Sequence, residues 1–295
     1  MLEIVLLMIA LVGSSLAALF DLKTTEIPDE IPYAMMIVGI IAHVIKSFLV
    51  LSYWPFLLSV IVGLSFLGFG FLMYYIGQWG GGDAKILSAM GFLIPVLPPQ
   101  IKTSLMFPLP LSFFFNVFLV GAFYMIVYAV VLSMIERNIW LEFVKDLRAN
   151  TKMIMIFNLS MVAFIVLLVS IFANYYLLPV NDMIIFIVTM LLVSVGFFIL
   201  WKFVKTVEKV GFKKRILVSK LRVGDVPDFY KIWEGVTEKE IEKIKKSGKK
   251  YIWIKSGVRF APAFPLALLF TLYFGDGISL LIGLRSTLKY LGIRH

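Results

Sequence analysis

Apolar residues run along this chain in long blocks separated by short polar stretches, at about 2–20, 31–51, 55–77, 84–98, 111–135, 153–178, 182–204 and 260–284. Most of the blocks reach the roughly 17 to 25 residues that an α-helix needs to cross a hydrocarbon layer. The pattern predicts an all-α polytopic membrane helical bundle of about eight spans. The fourth block is the weak one, because Pro95, Pro98 and Pro99 cut it to about 14 residues, ~21 Å at the rise of a helix. A helix of that length crosses by thinning the bilayer, or it stops partway.

Between 205 and 259 the pattern changes. "RILVSKL" and "KKYIWIK" alternate in the manner of short strands. "GVTEKEIEKIKKSG" between them predicts a helix: Thr237 and Glu240 form a capping box, Ile241 and Ile244 supply an apolar stripe, and Gly248 stops it. This segment reads as a small α/β cap. The expected organisation is 1–135 for the N-terminal membrane helices, 136–152 for a connecting loop, 153–204 for an additional transmembrane hairpin without ionisable side chains in its interior, 205–259 for the cap, and 260–295 for a final membrane helix and a basic tail. No repeat of 20 to 50 residues accompanies it.

Composition agrees with the membrane reading, since 61% hydrophobic residues and 27 Phe in 295 positions cannot be hidden in one soluble core. Charge then orients the bundle. The loops at 21–30, 78–86, 136–152 and 202–259 fall on one side of the eight-span arrangement and hold 23 of the 28 basic residues, which marks that side as cytoplasmic. Arg285, Lys289 and Arg294 run against the rule, because they fall on the opposite side. "SSLAALF" offers residues that a signal peptidase accepts, but no basic residue precedes it and Lys23 follows, the pattern of a signal anchor. The segment 202–259 carries 17 basic against 7 acidic residues, which suits anionic lipid headgroups; no nucleic-acid motif goes with it, and membrane lipid rather than nucleic acid is the expected partner.

Cysteine is absent and histidine occurs twice, at His43 and His295. Disulfides, thiolate metal sites and cysteine nucleophiles are thereby excluded, and little is left for a zinc site or a Ser-His triad. Neither a metal nor an organic cofactor is expected. Any chemistry must rest on carboxylates, and two stand out. Asp83 lies in "YYIGQWGGGDAKILSAMG" (74–91), a carboxylate between two hydrophobic runs, where burial in hydrocarbon costs on the order of 3 kcal/mol or more unless it is compensated. Asp21 lies in "LAALFDLKTTEIPDEIPY" (16–33), at the end of the first span and at the same membrane level. Pro28 and Pro32 disfavour a continuous helix through this loop, so the two aspartates can face each other across the bundle.

Gly80, Gly81 and Gly82 permit left-handed backbone and close approach of an extended peptide, as a hinge where a substrate is unwound. Two carboxylates that share a site hold one proton between them. The ionised member takes a proton from water while the protonated member polarises a carbonyl, and such a coupled pair titrates as a unit. Against this stand three other readings: helix-end charges that only mark the interface, a proton-coupled transporter or channel using membrane-level acids, and a non-enzymatic scaffold of a secretion or filament machine. No ionisable residue that would serve transport lies in the middle of a span.

Gly80-Gly81-Gly82-Asp83 fits the Gly-x-Gly-Asp signature of aspartic membrane proteases, and "GGGDAK" with "DLKTTEIPD" resembles the type IV prepilin peptidase family, its archaeal preflagellin peptidase branch above all. The resemblance extends over 1–135 and loosely over the cap and final helix, while the hairpin 153–204 departs from a six-helix plan. It implies that Asp21 and Asp83 are the catalytic pair. It also implies that the substrates are prepilin-like or archaellin precursors with a class III-type leader: short, basic, cut on the cytoplasmic side before a hydrophobic helix. Bacterial members that also methylate carry a cysteine-rich loop; with no cysteine here, proteolysis alone is expected.

The loop between the first two spans carries Glu26, Asp29 and Glu30 against Lys23 alone. This acidic island is the expected seat for the basic residues of a leader; the alternative is a solvated loop balancing nearby lysines. Lys23 and Lys85 read as headgroup anchors, and His43, alone in a span, as a hydrogen-bonding packing residue. Asp225 and Asp228, in "VGDVPDFY", read as local turn capping. The sequence carries no signal of oligomeric state.

Overall fold

A computed structural model describes residues 1–103, 105–176, 180–230, 235–255 and 257–277. The helices are α1 (Leu2–Thr24), α2 (Glu30–Leu49), α3 (Trp54–Tyr75), α4 (Gly81–Leu93), α5 (Leu109–Ile135), α6 (Arg137–Ala149), α7 (Thr151–Tyr176), α8 (Val180–Val210), α9 (Glu238–Lys246) and α10 (Ala263–Phe274). Three strands accompany them: β1 (Lys213–Leu217), β2 (Val226–Pro227) and β3 (Tyr251–Lys255). Among the described residues six helices, α1, α2, α3, α5, α7 and α8, are long and apolar enough to cross a membrane. The protein is an all-α membrane helical bundle with a small amount of sheet.

The fourth hydrophobic block does not yield a full span, and among the described residues the eighth yields only a short helix. α4 has 13 residues and α10 has 12, about 20 and 18 Å at 1.5 Å per residue against a hydrocarbon layer of about 30 Å. α4 ends because Pro95 forces Ile94 out of helical geometry, to φ −125° and ψ 55°. α10 ends at Gly275, whose φ of 78° is left-handed. The rest of the eighth block, from 278, and Arg285, Lys289 and Arg294 lie outside the described residues.

The chain divides into two compact units. The first gathers Met1–Val127 with the described residues from Lys213 onward. In it α1, α2 and α3 surround α4, and α10 packs on α1. The reason lies in the spacing of small and apolar residues. α1 turns Leu6, Leu7, Ala10, Gly13, Ser14, Ala17, Ala18 and Asp21 inward as one stripe, and α3 turns Ser59, Gly63, Phe66 and Gly70 inward. Gly70 is small because α4 leaves no room: a Cβ there would lie 2.7 Å from the Ala84 Cα. In lipid, close backbone approach of this kind replaces the hydrophobic drive of a soluble core.

Because α4 stops inside the bundle, its last carbonyls need partners that neither water nor the next turn supplies. Neighbouring helices supply them. Ser59 Oγ of α3 donates to the Phe92 carbonyl at 2.7 Å, and His43 Nε2 of α2 lies 3.3 Å from the Leu93 carbonyl oxygen. His43 is thus the packing residue the sequence suggests. Lys46, one turn on, pairs with Glu3 at 2.5 Å.

The cap in this unit is a three-stranded antiparallel sheet of order β1-β3-β2, in which Arg215 pairs with Trp253 and Pro227 with Ile254. α9 covers it through Ile241 and Ile244. Thr237 and Glu240 make the expected capping box, with Thr237 N–H to Glu240 Oε2 at 2.8 Å, and Gly248 is left-handed at φ 72°. That set of hydrogen bonds, the Thr237 amide first, holds the Glu240 carboxyl below its ordinary range. Asp225 accepts the Arg222 N–H at 2.7 Å as a local cap, whereas Asp228 pairs with Lys213 at 2.8 Å.

The second unit, Tyr128–Phe212, holds the end of α5 with α6, α7 and α8. Residues 136–152, expected as a loop, form the amphipathic helix α6: Ile139 and Phe143 are buried against Ala129, Phe203 and Val207, and Asp146 pairs with Lys202 at 2.9 Å. α8 continues to Val210, six residues past the expected end of its block. α7 and α8 pack on each other, with Ser194 Oγ donating to Asn158 Oδ1 at 3.1 Å. Their other faces are largely exposed.

Candidate active site

Asp21 occupies the last turn of α1, on the buried stripe begun at Leu6, so helical periodicity alone turns it inward. Asp83 occupies the first turn of α4, inward for the same reason. Both are buried, at 4 and 7% exposure. α1 packs on α4, and the carboxylates stand close enough that the charge of Asp21 acts on Asp83. The structure therefore brings the two sequence-selected acids together from separate helices.

Each carboxylate has one backbone donor. Asp83 Oδ2 accepts the Gly80 N–H at 3.1 Å, which closes the start of its own helix. Asp21 Oδ2 accepts the Ala261 N–H at 2.9 Å, from a residue 240 positions away at the entrance to α10. Arg259, two residues before, places its charge where it acts on Asp21. Neither Ala261 nor Arg259 is visible to a motif search. Each buried carboxylate is thus compensated by a main-chain donor, one from its own helix and one from the entrance to α10.

The glycines are placed differently from the sequence expectation. Gly80 has φ −74° and is the N-cap of α4, and Gly81 and Gly82 form its first turn. None of the three is left-handed; that conformation falls on Gly77, at φ 81°. The run still serves close approach. A Cβ on Gly82 would lie 3.0 Å from Ile27 of the α1–α2 loop, while one on Gly81 would meet only Tyr74, at 3.9 Å. Trp79, buried and not singled out by the sequence, fixes the base of this turn against Phe69, Phe118, Phe260 and Phe264 at ring separations of 5.5 to 6.0 Å.

Glu26 and Asp29 lie exposed in the α1–α2 connection, and Glu30 lies exposed at the start of α2. Lys85 is not free to anchor in headgroups: its Nζ pairs with Asp29 Oδ1 at 2.6 Å and stands 5.3 Å over the Tyr33 ring. That pair removes much of the Asp29 charge from the island. Glu26 and Glu30 have no ion pair among the described residues, and Lys23 is exposed. No group of three or more His, Cys, Asp or Glu side chains among the described residues could hold a metal ion.

Residues 6–126 match the family model described as the type IV leader peptidase family, a stretch that contains both aspartates and all three glycines. Among curated proteins the chain is similar to the prepilin peptidase EppA of Methanothermobacter thermautotrophicus, 21% identical over 64% of this chain and 52% of that one. It is also similar to the preflagellin peptidases of Methanococcus voltae, 33% identical over 37% of this chain and 49% of that one, and of Methanocaldococcus jannaschii, 33% identical over 32% and 40%. The chain spans about half the length of these relatives or less. No solved structure matches. The match to the type IV leader peptidase family thus falls on residues 6–126, the part of the chain that builds the aspartate pair.

Proposed function

We propose that the protein is a membrane-embedded aspartic endopeptidase that removes the short basic leader from prepilin-like or archaellin precursors at the cytoplasmic face, with Asp21 and Asp83 as its catalytic pair. The observation that carries the reading is the meeting of two buried carboxylates from α1 and α4 within the segment that matches a leader peptidase family.

Two such carboxylates together hold one proton. The ionised one accepts a proton from water as the water oxygen bonds to the scissile carbonyl carbon, and the protonated one gives its proton to the carbonyl oxygen. The resulting diol collapses: one hydroxyl proton returns to the second carboxylate, the C–N bond breaks, and the proton taken from water passes to the leaving nitrogen. Both groups end as they began. Glu26 and Glu30, with what remains of Asp29, attract the leader's Lys and Arg and so set its register over the pair. Gly81, open on its outer side, leaves room for the substrate backbone.

The test is cleavage of a tagged prepilin-like precursor by the detergent-purified protein. Leader loss that disappears in both Asp21→Asn and Asp83→Asn supports the reading; cleavage retained by either variant overturns it.

A further inference from the structure

The connector between β3 and α10 touches the end of α1 in two places. Gly257 faces Thr25, the residue that closes α1 in a left-handed conformation at φ 61°, so tightly that a Cβ on Gly257 would lie 3.0 Å from the Thr25 Cβ. Four residues on, the fully buried Ala261 gives its N–H to Asp21. Arg259, between them, acts on the same carboxylate through its charge. Asp83 is treated otherwise: its one donor comes from its own helix, and the charge that acts on it is that of Asp21.

We propose that the connector 257–261 is a positioning element of the catalytic centre, with the Ala261 N–H aiming the Asp21 carboxylate and the Arg259 cation adding its charge from the same connector, so that Asp21 takes the proton from water and Asp83 carries the shared proton. This rests on the dyad reading and divides its two roles. An N–H and a guanidinium both favour a negative oxygen. Among the described residues, the charged groups that interact with Asp21 are Asp83 from α4 and Arg259 from the connector. Lys23, two residues along α1, lies exposed on another face, and Lys85 is held by Asp29. The arrangement also ties the cytoplasmic cap to the chemistry, since the connector is the cap's exit into α10.

Kinetics of Arg259→Gln and Arg259→Lys on a prepilin-like precursor test this. With Arg259→Gln, kcat at neutral pH should fall about tenfold, with KM changed less than twofold, and the deficit should shrink as pH rises because base restores the ionised form. Arg259→Lys should recover most of the rate. The proposal is overturned if Arg259→Gln matches the parent at every pH. It is equally overturned if its deficit is independent of pH and unrelieved by lysine, with a lowered Tm in detergent, which would make Arg259 a packing residue. Asp21→Asn and Asp83→Asn run alongside: if either still cleaves, the dyad reading itself fails, whereas inactive asparagine variants with an unchanged Arg259→Gln profile sink only this division of roles.

Discussion

α4 and the α7–α8 hairpin solve opposite problems in the same solvent. The hairpin helices have 26 and 31 residues and turn most side chains toward lipid, with Ile165, Val169 and Phe198 among the few buried. α4 has 13 residues, too few to cross, and from Ala84 to Leu93 only Lys85 is more than buried-level exposed. Length and apolarity equip a helix to face hydrocarbon. A helix that is wholly enclosed needs neither, and can carry an aspartate, because its neighbours supply the donors and the close fit that lipid cannot. The buried carboxylate of Asp83 sits in the helix that membrane insertion alone would least favour.

That contrast can be broken at several levels. The largest effect falls on the chemistry: Asp83→Asn should lower the cleavage rate by about 10²- to 10⁴-fold with the fold intact, measured by leader release and by unchanged thermal unfolding in detergent. Next, Gly70→Val should force α3 off α4 at the Ala84 backbone and cost about 3 kcal/mol, the upper end of overpacking, read as a lowered Tm with loss of activity. An unchanged Tm would mean that the two helices do not pack so closely. Ser59→Ala leaves the Phe92 carbonyl without its hydroxyl donor inside hydrocarbon and should cost about 1.5 kcal/mol, with Ser59→Thr milder.

Reversal of Glu26 and Glu30 to lysine should raise KM for a basic leader roughly fivefold, at low salt above all, and leave a neutralised leader unaffected; equal effects on both would remove the acidic loop from recognition. Smallest of all, Phe197→Leu on α8, where the ring is 70% exposed, should change stability by less than about 0.5 kcal/mol. A large loss there would show that the hairpin face is covered.

The sequence announced the elements whose signals are local. Unbroken apolar runs located α1, α2, α3, α5, α7 and α8, and Thr237, Glu240 and Gly248 located both ends of α9. α6 escaped because its charged residues hide it from a search for apolar runs, although Ile139, Phe143 and Leu147 recur at helical spacing and packed together once folded. β2 is two residues long and carries a proline, so it has no pattern to read. In the candidate site the aspartates were legible because a charge beside hydrocarbon is conspicuous. Their donors were not: a backbone N–H looks the same at every residue, and nothing in Ala261 records that it will meet Asp21. Lys85 was misjudged for a related reason, since its partner Asp29 is 56 positions away and reaches it only through the packing of α2 on α4.

The hydroxyl of Ser59 and the imidazole of His43 grip α4 at the end remote from its aspartate, and sliding the helix along its axis would strip both contacts where no water can replace them. Asp83 therefore stands on a fixed post. In the proposed leader cleavage, the travel that a turnover demands falls to the arriving polypeptide and not to α4.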